Sequence, residues 1–289
     1  MRGPDRLLEL PGEFQLVKCS NCGLIRQDPY LCWEYLKKYY PKEFISFNPQ
    51  TSEITSLLRR IDRRYGLWKR VNLIEKHQPT GSWLDIGAGT GRILHEASLW
   101  DKWDLMGIEP VPYAAQYIED KLKIPVFKGR FEDFNNYDEY FDIVTMWDVL
   151  EHLEEPIEGL RKIRKILRPK GIFVFSTPNM NAWDRKVFQK FWIGYELPRH
   201  LFLYPDEVLS KILNELGFRI ITKKCIAGSH STFIHDLKFW NKKLNSKIIS
   251  YITKFGEDSY LLKMITFLPL WILDQLKLGT NITYLVQKQ

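Results

Sequence analysis

Cysteine is scarce. The chain has four in 289 residues, far below the density that staples small secreted domains. The opening Met1-Arg2-Gly3-Pro4-Asp5 lacks the apolar core of a secretion signal, so a reducing cytoplasm is the expected compartment. No apolar run reaches the roughly 18 to 20 residues that a membrane-crossing helix needs. The nearest, Leu261 to Leu273, is thirteen residues long and contains Lys263 and Pro269. Internal repeats and low-complexity linkers are also missing, and 45% apolar with 27% charged residues excludes a disordered or collagen-like chain. A dense basic patch is absent too. The net charge of +7 divides into +5 over residues 1–70, −2 over 71–231 and +3 over 232–279, with Lys288 supplying the last. Charge spread this thinly does not predict a nucleic-acid partner. It fits solvated surface lysines, an anionic substrate or a membrane surface.

Four regions follow from the patterning. Residues 1–50 read as irregular, rich in Pro, Gly, Tyr and Cys. Residues 51–77 read as one helix capped by Thr51 or Ser52, with apolar residues at three- and four-residue spacing. After Pro79-Thr80-Gly81, strands at 82–86, 104–108, 125–128, 141–146, 171–176, 218–225 and 281–287 alternate with helices near 91–100, 113–122, 156–167 and 205–216. This alternation predicts an α/β fold with a mostly parallel sheet over 51–231, closed by a strand at 280–289. Residues 232–279 read as an insertion of one or two amphipathic helices followed by an apolar stretch. They are expected to serve as a lid, a homodimer contact or a peripheral membrane surface.

The first strand runs into Asp85-Ile86-Gly87-Ala88-Gly89-Thr90-Gly91-Arg92. Glycines here allow a tight strand-to-helix turn and close approach of a ligand to the main chain. A dinucleotide turn, G-x-G-x-x-G, would place glycine at 92. Arg92 stands there instead, which argues against a nicotinamide oxidoreductase. Asp85 disfavours a pyrophosphate and suits a ligand that is partly cationic. Glu109, in Gly107-Ile108-Glu109-Pro110, lies 24 residues further on at the end of the second strand, where a carboxylate can accept both hydroxyls of a ribose.

These motifs resemble the class I S-adenosylmethionine-dependent methyltransferases. The resemblance continues through Gly129-Arg130-Phe131-Glu132-Asp133, through Phe141 to Leu153, through Ile166-Leu167-Arg168-Pro169-Lys170-Gly171 and through Ser176-Thr177-Pro178-Asn179. It covers about 80–226 and the closing strand. It implies a Rossmann-like seven-stranded sheet with helices on both faces, its last strand antiparallel. It also implies S-adenosylmethionine as cofactor. Asp85, Gly87, Ala88, Gly89 and Gly91 would line the methionine part, and Glu109 with Pro110 would hold the ribose. Arg130, Phe131 and Glu132 would border the adenine, and Trp147 with Asp148 would close the site. Lys170 stands where the family commonly has glycine.

Cys19 and Cys22 have the spacing of half a zinc site. The segment resembles the second knuckle of the zinc ribbon found in a subset of this family, several of whose members act on sugars or polysaccharides. No cysteine or histidine precedes Cys19 in this chain. The missing half lies outside the sequence or the ribbon is metal-free. Two histidines are candidates for the general base of a hydroxyl acceptor. His200, in Glu196-Leu197-Pro198-Arg199-His200, is the first choice and His152 the second. The acceptor expected on these grounds is a sugar, a polysaccharide intermediate or a lipid-linked glycan, or another small hydroxylated metabolite. A quinone or phenolic lipid is the alternative, and a non-catalytic binding module with a degenerate ribbon is the reading from another class.

Overall fold

A computed structural model describes residues 1–41, 57–226, 229–256 and 259–289. The proposed caps Thr51 and Ser52 lie outside them. The chain divides into two compact units, one formed by Tyr40–Ser176, Ser210–Thr222 and Tyr284–Gln289, the other by Met1–Tyr39, Thr177–Leu209 and Lys223–Thr283.

The first unit is built on a seven-stranded sheet. In chain order its strands are β4 (Gly81–Ile86), β5 (Trp103–Ile108), β6 (Val126–Phe127), β7 (Phe141–Trp147), β8 (Leu167–Pro178), β10 (Phe218–Lys224) and β11 (Asn281–Lys288). They lie side by side as β10-β11-β8-β7-β4-β5-β6. β4 pairs in parallel with both β5 and β7, β5 with β6, and β7 with β8, while the closing strand β11 runs antiparallel. Central strands buried on both faces read as continuous apolar runs. Trp83, Leu84, Ile143, Val144, Phe173 and Val174 are accordingly at 0% exposure. The helices are α2 (Leu57–Glu75), α3 (Arg92–Ser98), α4 (Pro112–Tyr117), α5 (Pro156–Ile166) and α7 (Asp206–Glu215). Gly217 ends α7 with φ 76°, a left-handed stop that glycine holds without strain.

β8 starts earlier than the pattern predicts. Its pairing with β7 slips between Phe141 and Ile143, and in that irregular stretch Lys170 takes φ 64°. Glycine would hold this conformation without the roughly 1 kcal/mol or more that a Cβ costs there.

Over the described residues 1–41, the second unit corrects the expectation of an irregular segment, while 42–50 lie outside the described residues. β1 (Arg2–Pro4), β2 (Glu13–Lys18), β3 (Ile25–Gln27) and β9 (Phe202–Leu203) form an antiparallel sheet in that order. Strands of two to six residues are too short to show a two-residue period, and the edge partner β9 comes from a remote part of the sequence. Phe14, Leu16, Tyr39, Trp192, Leu197 and Leu203 form its core. Beside them, Arg199 and Asp5 are both fully buried, with Nη2 donating to Oδ1 at 2.8 Å and Nη1 to Oδ2 at 3.0 Å. The other helices of this unit are α1 (Trp33–Leu36), α6 (Trp183–Phe188), α8 (Ser229–Leu244), α9 (Lys247–Phe255) and α10 (Tyr260–Gln275). In the 232–279 region α8 and α9 are the expected amphipathic helices, and the apolar stretch that follows them is itself a helix, α10.

Candidate active site

The site lies in the sheet unit, where β4 turns into α3. Gly87, Gly89 and Gly91 all take left-handed φ, at 72°, 56° and 73°. A Cβ at Gly87 would come within 2.6 Å of Val149, and one at Gly91 within 2.7 Å of Leu122, so conformation and space both require glycine. The amides of Gly87 and Ala88 donate back to the Ile108 carbonyl at 2.9 and 3.0 Å. This ties the turn to the end of β5, where Glu109 sits.

Two carboxyls face this turn and are almost wholly buried, Asp85 at 2% and Glu109 at 1% exposure. Glu109 is oriented by the main chain. Oε2 accepts from the Gly89 amide at 2.7 Å and Oε1 from the Val111 amide at 2.8 Å. Each carboxylate oxygen has a second lone pair, which leaves acceptor capacity for a diol. Asp85 is oriented through a relay, since Trp83 Nε1 donates to Thr145 Oγ1 at 2.8 Å and Thr145 Oγ1 donates to Asp85 Oδ1 at 2.6 Å. Burial pushes Asp85 up to about 7, although the Thr145 hydroxyl and the Arg70 guanidinium pull the other way. Burial likewise pushes Glu109 up to about 7 against the Val111 and Gly89 amides, and Asp85 adds to the rise.

The far wall comes from the end of β7. Asp148 has φ 55°, a conformation that Asp tolerates better than most residues. Ser176 holds it there: Ser176 Oγ donates to Asp148 Oδ1 at 2.8 Å, and the Asp148 amide is 3.1 Å from the same hydroxyl. The Arg70 guanidinium of α2 stands 4.7 Å from the centre of the Trp147 ring. Phe131 is buried. Lys162 Nζ donates to the carbonyls of Phe131 and Glu132, both at 2.8 Å. Arg130 pairs with Glu132 and Glu154, each at 3.1 Å. The predicted residues Asp85, Gly87, Ala88, Gly89, Gly91, Glu109, Pro110, Arg130, Phe131, Glu132, Trp147 and Asp148 thus all belong to this one unit.

A family model described as "Methyltransferase domain" matches residues 58–223, more than half of the chain. The chain belongs to this methyltransferase family. The methyltransferase is 29% identical over 190 residues to the ubiquinone biosynthesis O-methyltransferase of Histophilus somni, covering 61% of this chain and 78% of that one. It is 30% identical over 153 residues to the protein of the same name from Cereibacter sphaeroides, covering 49% of this chain and 61% of that one. Among solved structures, a SAM-dependent methyltransferase from Thermotoga maritima shares the fold at a TM-score of 0.52 and 14% identity, over 86% of this chain and all of that one. The enzyme's cofactor is S-adenosylmethionine, and the binding-only reading is set aside.

The residues present fit that cofactor. Thr90 Oγ1 and Trp147 Nε1 are buried without a hydrogen-bond partner among the described residues, so each can take a polar partner from a ligand. The carboxyls of Asp85 and Glu109 supply acceptors for an amine or sulfonium-bearing chain and for ribose hydroxyls.

The remaining candidates stand differently. His152 follows β7 in the same unit, with Nδ1 3.0 Å from the Tyr40 hydroxyl. His200 belongs to the other unit and is buried there. Its Nδ1 is 2.8 Å from the Gly194 carbonyl, to which the ring N–H donates. Burial lowers His200 to about 4, partly offset by the Gly194 carbonyl and helped by Arg199. Cys19 and Cys22 sit exposed in the turn between β2 and β3, where the Gly23 amide donates to the Cys19 carbonyl at 3.0 Å. Among the described residues no third histidine, cysteine or carboxylate joins them within metal-binding reach. Two ligands do not make the four-coordinate site that zinc requires. Sequence reasoning missed Thr145, Ser176 and Arg70. Thr145 is a polar residue inside an otherwise apolar central strand, which is a usable signal. Nothing local marks Ser176 or Arg70.

Proposed function

We propose that this enzyme methylates a hydroxyl of a quinone-related or phenolic acceptor. The observation that carries the reading is the shared name of the curated relatives matched over this region, O-methyltransferases of ubiquinone biosynthesis. The sugar and polysaccharide reading rested on the ribbon resemblance and has no counterpart in those names. When bound, S-adenosylmethionine supplies an electrophilic methyl group on a sulfonium sulfur. Gly87 to Gly91 would let the methionine part approach the backbone, Asp85 would accept from its amine, and Glu109 would accept from the ribose. Trp147 and Asp148 bound the reacting end, where displacement depends mainly on alignment and exclusion of water.

A phenol attacks fastest as its anion, so a base near its hydroxyl speeds the step. His152 takes this role in our reading. It follows Trp147 and Asp148 by a few residues in the same unit, and Tyr40 fixes its ring. His200 lies in the other unit, where its Nδ1 donates to the Gly194 carbonyl, and we assign it to holding the 194–200 loop. Purified enzyme with radiolabelled S-adenosylmethionine would be offered polyprenylated catechols and, separately, lipid-linked glycans. Label in the catechol fraction, reduced about a hundredfold by His152→Ala and retained in His200→Ala, is the expected result. Label only in glycan would overturn the acceptor, and the reverse ranking of the two histidines would overturn the base.

A further inference from the structure

Among the described residues, α9 and α10 carry many of the exposed large apolar side chains. Ile248 is 73% exposed, Tyr251 70%, Leu261 68%, Phe267 65%, Ile265 62% and Trp271 50%. Within α10 only Leu270 is buried. A helix apolar on nearly every side belongs in a protein core or in lipid, and both α9 and α10 pack on α8 with many large apolar side chains left exposed, which marks an interaction surface. No described helix is long and apolar enough to cross a membrane. α10, at 16 residues, is about 24 Å long against a hydrocarbon core of about 30 Å. Lys263 and Pro269 lie inside it. Lying in the interface remains open to it where spanning does not.

The charge on α9 is of one sign, while Glu257 and Asp258 follow it in the sequence and α10 carries Lys263 and Asp274. Between Asp236 and Glu257 the sequence has no acidic residue and five lysines, and between Asp258 and Asp274 it has none and one lysine. Lys243, Lys247 and Lys254 are exposed. A second copy of the chain docking here with two-fold symmetry would set this lysine-rich surface against itself. An anionic bilayer offers apolar depth to the ring of side chains and negative headgroups to the lysines.

We propose that α9 and α10 form a docking face for an anionic membrane, their apolar side chains entering the headgroup boundary while Lys243, Lys247 and Lys254 meet the headgroups. The face is independent of which acceptor the active site takes. Full-length protein would be co-sedimented with vesicles of phosphatidylcholine alone and with one-third phosphatidylglycerol, with light scattering of the protein without lipid. The expected result is binding to the anionic vesicles about tenfold or more above the neutral ones, weakened by salt. Phe267→Glu and Ile265→Glu, both at exposed positions, should lower it by about tenfold each. Each Lys→Gln change should cost about fivefold on anionic vesicles only. S-adenosylhomocysteine binding should stay intact in all of these variants. Equal or no sedimentation with both vesicle types would overturn the proposal, as would a stable dimer that Ile265→Glu dissociates.

Discussion

The two units bury carboxyls in contrasting ways. In the sheet unit, Asp85 and Glu109 stand at the ends of parallel strands beside a glycine turn, oriented by amides and a threonine hydroxyl. In the other unit, Asp184 and Asp236 are at 0% exposure among helices. Asp184 accepts from the Thr280 hydroxyl, and Asp236 Oδ1 accepts from the Ile193 amide. Burial raises both, Asp236 to about 9, with Asp184 adding to that rise. One pair is arranged to receive a ligand. The other knots α6, α8 and the segment before β11 together. Burial and a raised pKa therefore do not identify a functional carboxyl on their own; what separates the two pairs is the glycine turn beside Asp85 and Glu109.

The largest effect expected is structural. Arg199→Met leaves Asp5 buried without its partner and should destabilise the protein by about 3 to 5 kcal/mol in denaturant unfolding. A loss under about 1 kcal/mol would mean the pair is replaceable by ordinary surface-like contacts. Next, Asp85→Ala and Glu109→Ala should each weaken S-adenosylhomocysteine binding about a hundredfold in calorimetry while the circular dichroism spectrum is unchanged. Unaltered affinity would erase the contrast between the two carboxyl pairs.

The pH dependence sharpens that contrast. In the ligand-free protein Asp85 and Glu109 are raised to about 7, and the ligand's donors favour their ionised forms. Affinity should therefore fall as pH drops below about 7, by up to about tenfold per pH unit for each group, with proton release on binding. Ligand-free stability should run the opposite way. A raised carboxyl stabilises most below its unfolded pKa, and that contribution is lost as pH rises to about 7. Asp236, raised from 3.8 to about 9, extends the same loss further towards alkaline pH. Asp236→Asn should flatten that slope in thermal scans without changing cofactor affinity. The smallest change expected is Lys170→Gly, which relieves the left-handed strain and should raise stability by about 1 kcal/mol.

Most of the sheet unit was readable from the sequence. Its strands and helices carry strong local periods, and its chemistry sits at a turn where three glycines and two carboxylates keep fixed spacing. The supporting shell was not readable. Thr145 reaches Asp85 from 60 residues away and Ser176 reaches Asp148 from 28, pairings that depend on strand order.

The sequence by itself determined the α/β class, the glycine turn, the placing of Asp85 and Glu109 at strand ends, and the lysine-rich apolar character of 232–279. Those features are local, because residue type and spacing within about one strand–turn–helix unit suffice to specify them. Only the tertiary structure decided that Met1–Tyr39 joins 177–209 and 223–283 in one unit. It also decided that Arg199 neutralises Asp5 across 194 residues, that His200 Nδ1 meets the Gly194 carbonyl, and that α10 is left bare. Each of those outcomes depends on which surfaces meet after the chain returns on itself, and the free energy of such long-range burial leaves no periodic mark along the sequence.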